Sequence, residues 1–341
     1  MYRPRPRSIR TEVLALAVGF VVVQIALVVL IETRGPGIRD PNYGRKLELL
    51  RARIREHPGR PVCLALGSSR MMNGLRPADL PPLHDAGGTP VTVFNFGIPM
   101  CGPLQEAITL ERLLAEGVRP HWLVLEVTPA LLGQAEEVDG VLPPERRSLS
   151  DLSVAHGSPG PTAYADWVRA RAVPTFTYRH ALLSRALPAW VPWGSRLDYV
   201  FDKTDADGWT RLVPPEDPAV REWARTAEIT RFGGFARCGV AASAREGFER
   251  LTRAVKAHDI RVLVVVMPEG SELREVYPAE QWAEFGRATD DLARDLGAVV
   301  VSAREWMPDA AFADGHHLLP DGAGVFTRRF GAEALAPFLA R

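Results

Sequence analysis

Two short stretches of this chain carry side chains whose types and order suit nucleophilic catalysis. The first is Gly67-Ser68-Ser69-Arg70, which directly follows an apolar run. A serine hydroxyl is a poor nucleophile at neutral pH until a histidine within hydrogen-bond reach accepts its proton, so this serine needs a base from elsewhere. Taken alone, a Gly-Ser-Ser run is most often a loop or a helix N-cap. The second stretch is Asp314-Gly315-His316-His317-Leu318-Leu319-Pro320-Asp321-Gly322-Ala323, near the C-terminus. An aspartate and a histidine separated by two residues in one turn can hydrogen-bond, and the carboxylate then fixes the imidazole tautomer and stabilises the imidazolium. The bland alternative is a capping aspartate beside a surface histidine.

The surrounding elements decide whether the two stretches meet. Pro61 to Leu66 is a short apolar run closed by Gly67, the pattern of a buried parallel strand that ends in a turn. Val91 to Phe94 repeats it and runs into Asn95-Phe96-Gly97, and Trp122 to Val127 is a third such run, stopped by Pro129. Leu104 to Ala115 has helical spacing between them. The alternation predicts an α/β domain, a parallel sheet with helices on both faces in a three-layer sandwich, with Ser69 at the carboxyl edge where such sheets bind ligands. The pattern weakens from about 132 to 230, a stretch with five of the eight tryptophans, Trp167, Trp190, Trp193, Trp209 and Trp223. It reads as a mostly helical insertion, serving as a lid, as a docking surface, or simply as a subdomain packed on the sheet. Helices over Ala244 to His258 and Ala279 to Leu296 and strands over Ile260 to Met267 and Ala298 to Ser302 then resume the sheet. Residues 59–341 are therefore read as one domain with this insertion.

In their order along the chain, the Gly-x-Ser turn, the Asn-x-Gly loop and Asp-x-x-His before Pro-x-Gly-Ala resemble the SGNH (GDSL-type) hydrolase superfamily. The resemblance covers residues 59–131 and 240–341 and implies a flavodoxin-like fold. It is greatest to the membrane-anchored bacterial branch that includes the D-alanyl transfer protein of teichoic acids and the alginate acetylation proteins. It implies Ser69 as nucleophile, His317 as base and Asp314 as its orienting acid, the Asp-x-x-His spacing selecting His317 over His316. The family's second block supplies a backbone N–H to the oxyanion, which here points to Met100 or Gly102. Its third block supplies an asparagine from a GxND motif, where this chain has Glu126-Val127-Thr128-Pro129. Losing one such donor costs roughly 100- to 1,000-fold in rate unless Thr128 or another group substitutes. The resemblance thus implies transfer or hydrolysis of O-acyl groups on a cell-envelope glycan or polymer, beside a multi-spanning membrane acyltransferase. A catalytically degenerate scaffold that binds glycan or assists assembly is the alternative. No metal or organic cofactor is implied.

Arg3, Arg5, Arg7 and Arg10 precede an apolar run from Val13 to Ile31 that is interrupted only by Gly19 and Gln24. About 20 apolar residues cross the hydrocarbon core as a helix, and the arginine excess places the N-terminus in the cytoplasm. Residues 1–12 then form a cytoplasmic tail, 13–31 an uncleaved anchor in a bacterial cell membrane, and 32–58 a juxtamembrane linker and helix, with the domain outside. Forty-one basic residues balance forty-one acidic ones, and the basic residues outside the N-terminus form no stripe, which argues against nucleic acid as a partner. Cys63, Cys101 and Cys238 match no zinc or redox spacing, although an oxidising compartment permits one bridge among them.

Overall fold

The computed structural model describes residues 9–133, 143–149, 151–152, 161–192, 197, 202–235 and 239–341. The chain forms two compact units, one of residues 45–141 and 199–341, the other of residues 1–44 and 142–198.

The first unit is an α/β domain on five strands, β1 (Val62–Leu66), β2 (Thr92–Asn95), β3 (Trp122–Val127), β4 (Arg261–Val266) and β5 (Val299–Ser302). All pair in parallel in the order β2-β1-β3-β4-β5. Strands β1, β2 and β3 are buried at every residue, which is why they read as continuous apolar runs, while edge strand β5 alternates. Cys63, Ala65, Val124 and Val265 pack with Phe326, Phe330 and Phe338 of the C-terminal helices. Their neighbours of opposite parity, Leu64, Leu66, Leu125 and Val264, are equally buried. The chain moves from β1 to β2 on one side and returns to β3 on the other. The crevice beyond the carboxyl ends of β1 and β3 is therefore the switch point at which open sheets of this order bind ligands.

The expected insertion at 132–230 divides between the units. Helices Pro161–Arg171, Pro174–Thr177 and Arg179–Ala186 belong to the smaller unit, whereas residues 202–230 belong to the sheet unit. Trp209 is a core residue, its indole Nε1–H donating to the Asn73 carbonyl at 2.7 Å. Trp190 and Trp223 are exposed, and Trp193 lies outside the described residues.

The apolar helix runs over Ile9–Arg34, longer at both ends than the expected span; of the linker and helix expected over 32–58, the helix is present as Pro41–Glu56, and the linker before it holds a further short helix, Pro36–Arg39. Proline tolerates the first helical position because its missing N–H would have no acceptor there, and Pro36 and Pro41 begin these two helices. Residues Ile9–Thr33 form the one helix among those described that is long and apolar enough to cross a membrane. Its large side chains, Leu14, Leu16, Phe20 and Val22 among them, are exposed, unlike those of a core helix. Cys63 and Cys101 are both buried, and burial pushes the Cys63 thiol up to about 12. Cys238 lies outside the described residues.

Candidate active site

Ser69 opens a short helix, Ser69–Gly74, at the carboxyl end of β1. The Ser68 hydroxyl caps it by accepting from the Arg70 N–H at 3.2 Å. Glu126, at the end of β3, accepts from the Ser68 N–H at 2.8 Å, the Ser68 hydroxyl at 2.8 Å and the Met71 N–H at 3.1 Å. Met72 N–H returns to the Ser68 carbonyl. The Ser69 amide is thus the one N–H of this first turn without an acceptor among the described residues. Burial raises the Glu126 carboxyl above its usual range, against the pull of the Arg70 charge and the Ser68 bonds.

The far end of the same helix is held by Asn95, which ends β2. Its amide Nδ2–H donates to the carbonyls of Met71 at 2.7 Å and Leu75 at 2.6 Å, and its Oδ1 accepts from Gly97 N–H at 2.9 Å. Gly97 must be glycine for this approach, since a Cβ there would lie 2.5 Å from the Met72 nitrogen. Asn95 is clamped in turn by Lys46, whose Nζ donates to the Asn95 carbonyl at 3.0 Å and to the Gly208 carbonyl.

Burial lowers the Lys46 amine to about 7, against the attraction of Asp205. Between that value and the unfolded value of about 10.4, the folded chain binds fewer protons than the unfolded one. The contribution of Lys46 to stability therefore grows as pH rises through this window, by at most about 1.4 kcal/mol per pH unit, and is lost as pH falls through 7. Urea denaturation of the wild type and of Lys46→Met across pH 6.5 to 9 measures this, and the variant should lack that part of the slope.

Asp314 and His317 occupy a turn closed by the Ala313 N–H to His317 carbonyl bond and by the Phe312–Leu318 bridge. Gly315 supplies the left-handed residue that the turn requires, with φ 90°. Asp314 Oδ1 accepts from the His317 backbone N–H at 2.9 Å, and Oδ2 lies 2.7 Å from His317 Nδ1. An ionised carboxylate only accepts, so Nδ1 carries the proton and Nε2 presents a lone pair, 2.7 Å from the Ser69 hydroxyl oxygen. Burial would raise the Asp314 carboxyl, but the His317 charge and hydrogen bonds outweigh it and hold the group well below the ordinary range. The His316 backbone N–H donates to Asp314 Oδ1 at 3.3 Å, but its ring does not join the chain to Ser69. Its ring packs at a tilt against Phe232 with centroids 4.6 Å apart, and burial and the His317 charge press its imidazole well below its usual value.

Ser69, Met100, Thr128, Leu131, Phe232 and His317 line a cavity of about 70 Å³, with Glu228 and Arg231 also at its wall. Of the two expected backbone donors, Met100 reaches this cavity and takes left-handed backbone with φ 60°, a strained conformation for a side chain of its size. Gly102 is not among the lining residues; it precedes helix Pro103–Ala115, and its carbonyl accepts from Glu106 N–H at 2.9 Å. Thr128 directly follows the strand that carries Glu126, and its hydroxyl is buried with no partner among the described residues.

Behind the nucleophile turn lies an ion network that sequence patterns did not reveal. Arg70 Nη1 donates to Glu269 Oε1 at 2.8 Å, and Arg304 Nε to Glu269 Oε2 at 2.7 Å. Arg70 and Glu269 are both fully buried, and the Arg70 guanidinium lies 5.1 Å from the Phe232 ring centroid. A lone Arg after a serine and a lone Glu after a strand carry no mutual signal across about 200 positions of sequence, so only the fold pairs them.

Fold and site together define a parallel α/β protein with a hydrogen-bonded Ser-His-Asp chain at the switch point of its sheet. No family model matches the chain, and no curated protein matches its sequence.

Proposed function

We propose that this chain is an SGNH-type serine acyltransferase or esterase, anchored by its N-terminal helix and acting outside the membrane on O-acyl groups of envelope glycans or polymers. The observation that carries the reading is the continuous Asp314–His317–Ser69 hydrogen-bond chain opening into a cavity. Ser69 Oγ attacks the acyl carbonyl carbon while its proton passes to His317 Nε2. Collapse of the tetrahedral oxyanion breaks the bond to the leaving oxygen, which takes that proton, and leaves acyl-Ser69. His317 then deprotonates a carbohydrate hydroxyl or water, whose oxygen attacks the acyl-enzyme and releases Ser69. Asp314 orients the ring and stabilises the imidazolium.

The free amide of Ser69 and the hydroxyl of Thr128 are the donors best placed for the oxyanion, with the strained Met100 turn as a further source. On this reading Thr128 replaces the side-chain donor that the family's asparagine supplies. Thr128→Val should lower kcat for p-nitrophenyl acetate by about 100-fold with KM little changed, and Thr128→Ser should recover most of it. A value for Thr128→Val within twofold of the wild type would remove the hydroxyl from the mechanism.

The positive N-terminal flank and the exposed apolar helix support an anchor with a cytoplasmic N-terminus. A single helix forms no export channel, so the acyl donor arrives by way of a multi-spanning membrane acyltransferase. The deciding experiment treats the purified full chain with a fluorophosphonate and with p-nitrophenyl acetate, both responses requiring Ser69. A chain that stays unlabelled and inactive while binding glycan saturably supports the non-catalytic scaffold instead.

A further inference from the structure

The smaller unit carries polar contacts at a place where a membrane helix should have none. Gln24 lies within the apolar helix and is only 6% exposed. Its Oε1 accepts from the Thr175 hydroxyl at 3.0 Å and from the Thr175 backbone N–H at 3.3 Å. Eight residues further along the same helix, Glu32 pairs with Arg171 at 2.7 Å and with Arg39 at 3.1 Å. Two points of the 161–190 segment are thus fixed to two levels of the apolar helix.

Those levels correspond to depths. Glu32 closes the apolar run and marks its outer boundary. Gln24 lies about 12 Å below it at 1.5 Å per residue, most of the way through one leaflet of a roughly 30 Å hydrocarbon core. Arg171 to Thr175 covers that drop because Arg171 ends one helix, Pro174 begins the next, and four residues span up to about 14 Å. A polar group at this depth needs a protein partner, and Gln24 and Thr175 satisfy one another.

The surface of the segment fits the same environment. Phe176 is 64% exposed and Trp190 74%, and Tyr164, Val168, Val173 and Leu187 are also exposed. So many large apolar side chains within one short stretch exceed the scattered exposure normal in water. Arg169, Arg179 and Arg185 accompany them, and the Arg179 guanidinium lies 4.0 Å from the Phe176 ring centroid, its charge sheltered by an aromatic face. Tryptophan and phenylalanine with arginines on a short helical element are the composition of interfacial, non-spanning membrane segments.

We infer that residues 161–190 form a monotopic element that enters the outer leaflet beside the N-terminal helix, with Phe176 and Trp190 in contact with lipid acyl chains. This rests on the helix being the membrane anchor of the proposed function. It adds that the chain holds its membrane by two elements, the second supplied by the inserted segment.

The test uses the wild-type full chain in phosphatidylcholine–phosphatidylglycerol vesicles that contain a phosphatidylcholine with a photoactivatable diazirine in mid acyl chain. After irradiation and trypsin digestion, lipid adducts are expected both on the anchor peptide Thr11–Arg34 and on Ala172–Arg179, which contains Phe176. Adducts on the anchor peptide alone would overturn the inference while leaving the anchor intact. Adducts on neither would overturn the anchor itself. The same labelling in native membranes guards against a protein occupant: if Ala172–Arg179 is labelled in vesicles but protected there, the surface belongs to a protein partner and the lipid assignment fails. Phe176→Asp should reduce labelling of Ala172–Arg179 at least fivefold while labelling of the anchor peptide persists.

Discussion

Ser69→Ala is expected to lower p-nitrophenyl acetate turnover by about 10⁴- to 10⁶-fold and to abolish fluorophosphonate labelling. The magnitude follows from the geometry. His317 Nε2 is 2.7 Å from the Ser69 hydroxyl and Asp314 is 2.7 Å from Nδ1, so nucleophile, base and orienting group act as one unit. His317→Ala should cost about as much as Ser69→Ala, and the double variant should cost no more than either alone, because removing one member already disables the rest. Asp314→Asn should lose about 10⁴-fold, since an amide in that place favours the wrong imidazole tautomer. Additive losses in the double variant would mean that Ser69 and His317 act separately, and residual turnover of the Ser69→Ala chain near the wild-type level would sink the nucleophile assignment.

The second large effect concerns stability. Glu269→Gln should destabilise the sheet unit by about 3 to 5 kcal/mol, because it leaves the buried Arg70 cation without its counter-charge. Urea denaturation of the full chain measures the loss. The ion pair itself need not be stabilising relative to a well-packed apolar core, so the triple variant Arg70→Met, Glu269→Leu, Arg304→Met should regain much of it. Its recovered stability should come without recovered turnover. Arg70 follows Ser69 directly and stacks toward Phe232, which packs on His316 beside the base, so the network holds the nucleophile turn against the histidine turn. Equal turnover in the triple variant and the wild type would show that the network serves folding alone.

Much of the sheet was legible because its strands are buried on both faces. Trp122–Val127 was marked out residue for residue by its apolar run and by Pro129, and helix Ala279–Leu296 was expected over the same residues; the structure adds that Gly297 ends it in the left-handed conformation. Local chemistry misled where one residue type serves two purposes. Part of the linker expected within 32–58 is the short helix that Pro36 begins, and of the two backbone donors that the resemblance pointed to, Met100 lines the cavity while Gly102 precedes a helix.

The sequence by itself determined the alternation of strands and helices and the apolar N-terminal helix, and put Asp314 and His317 within reach of one another, because each rests on neighbours in the chain. Only the tertiary structure decided the rest. It brought Ser69 to His317 across 248 positions, and it placed Glu126 beneath the nucleophile turn, Asn95 at its far end, and Thr128 in the cavity with no partner. It also joined Gln24 to Thr175 and Arg70 to Glu269. These pairings leave no mark on local periodicity. They arise because burial strips polar groups of water, and each group is then satisfied by whatever partner the fold carries to it.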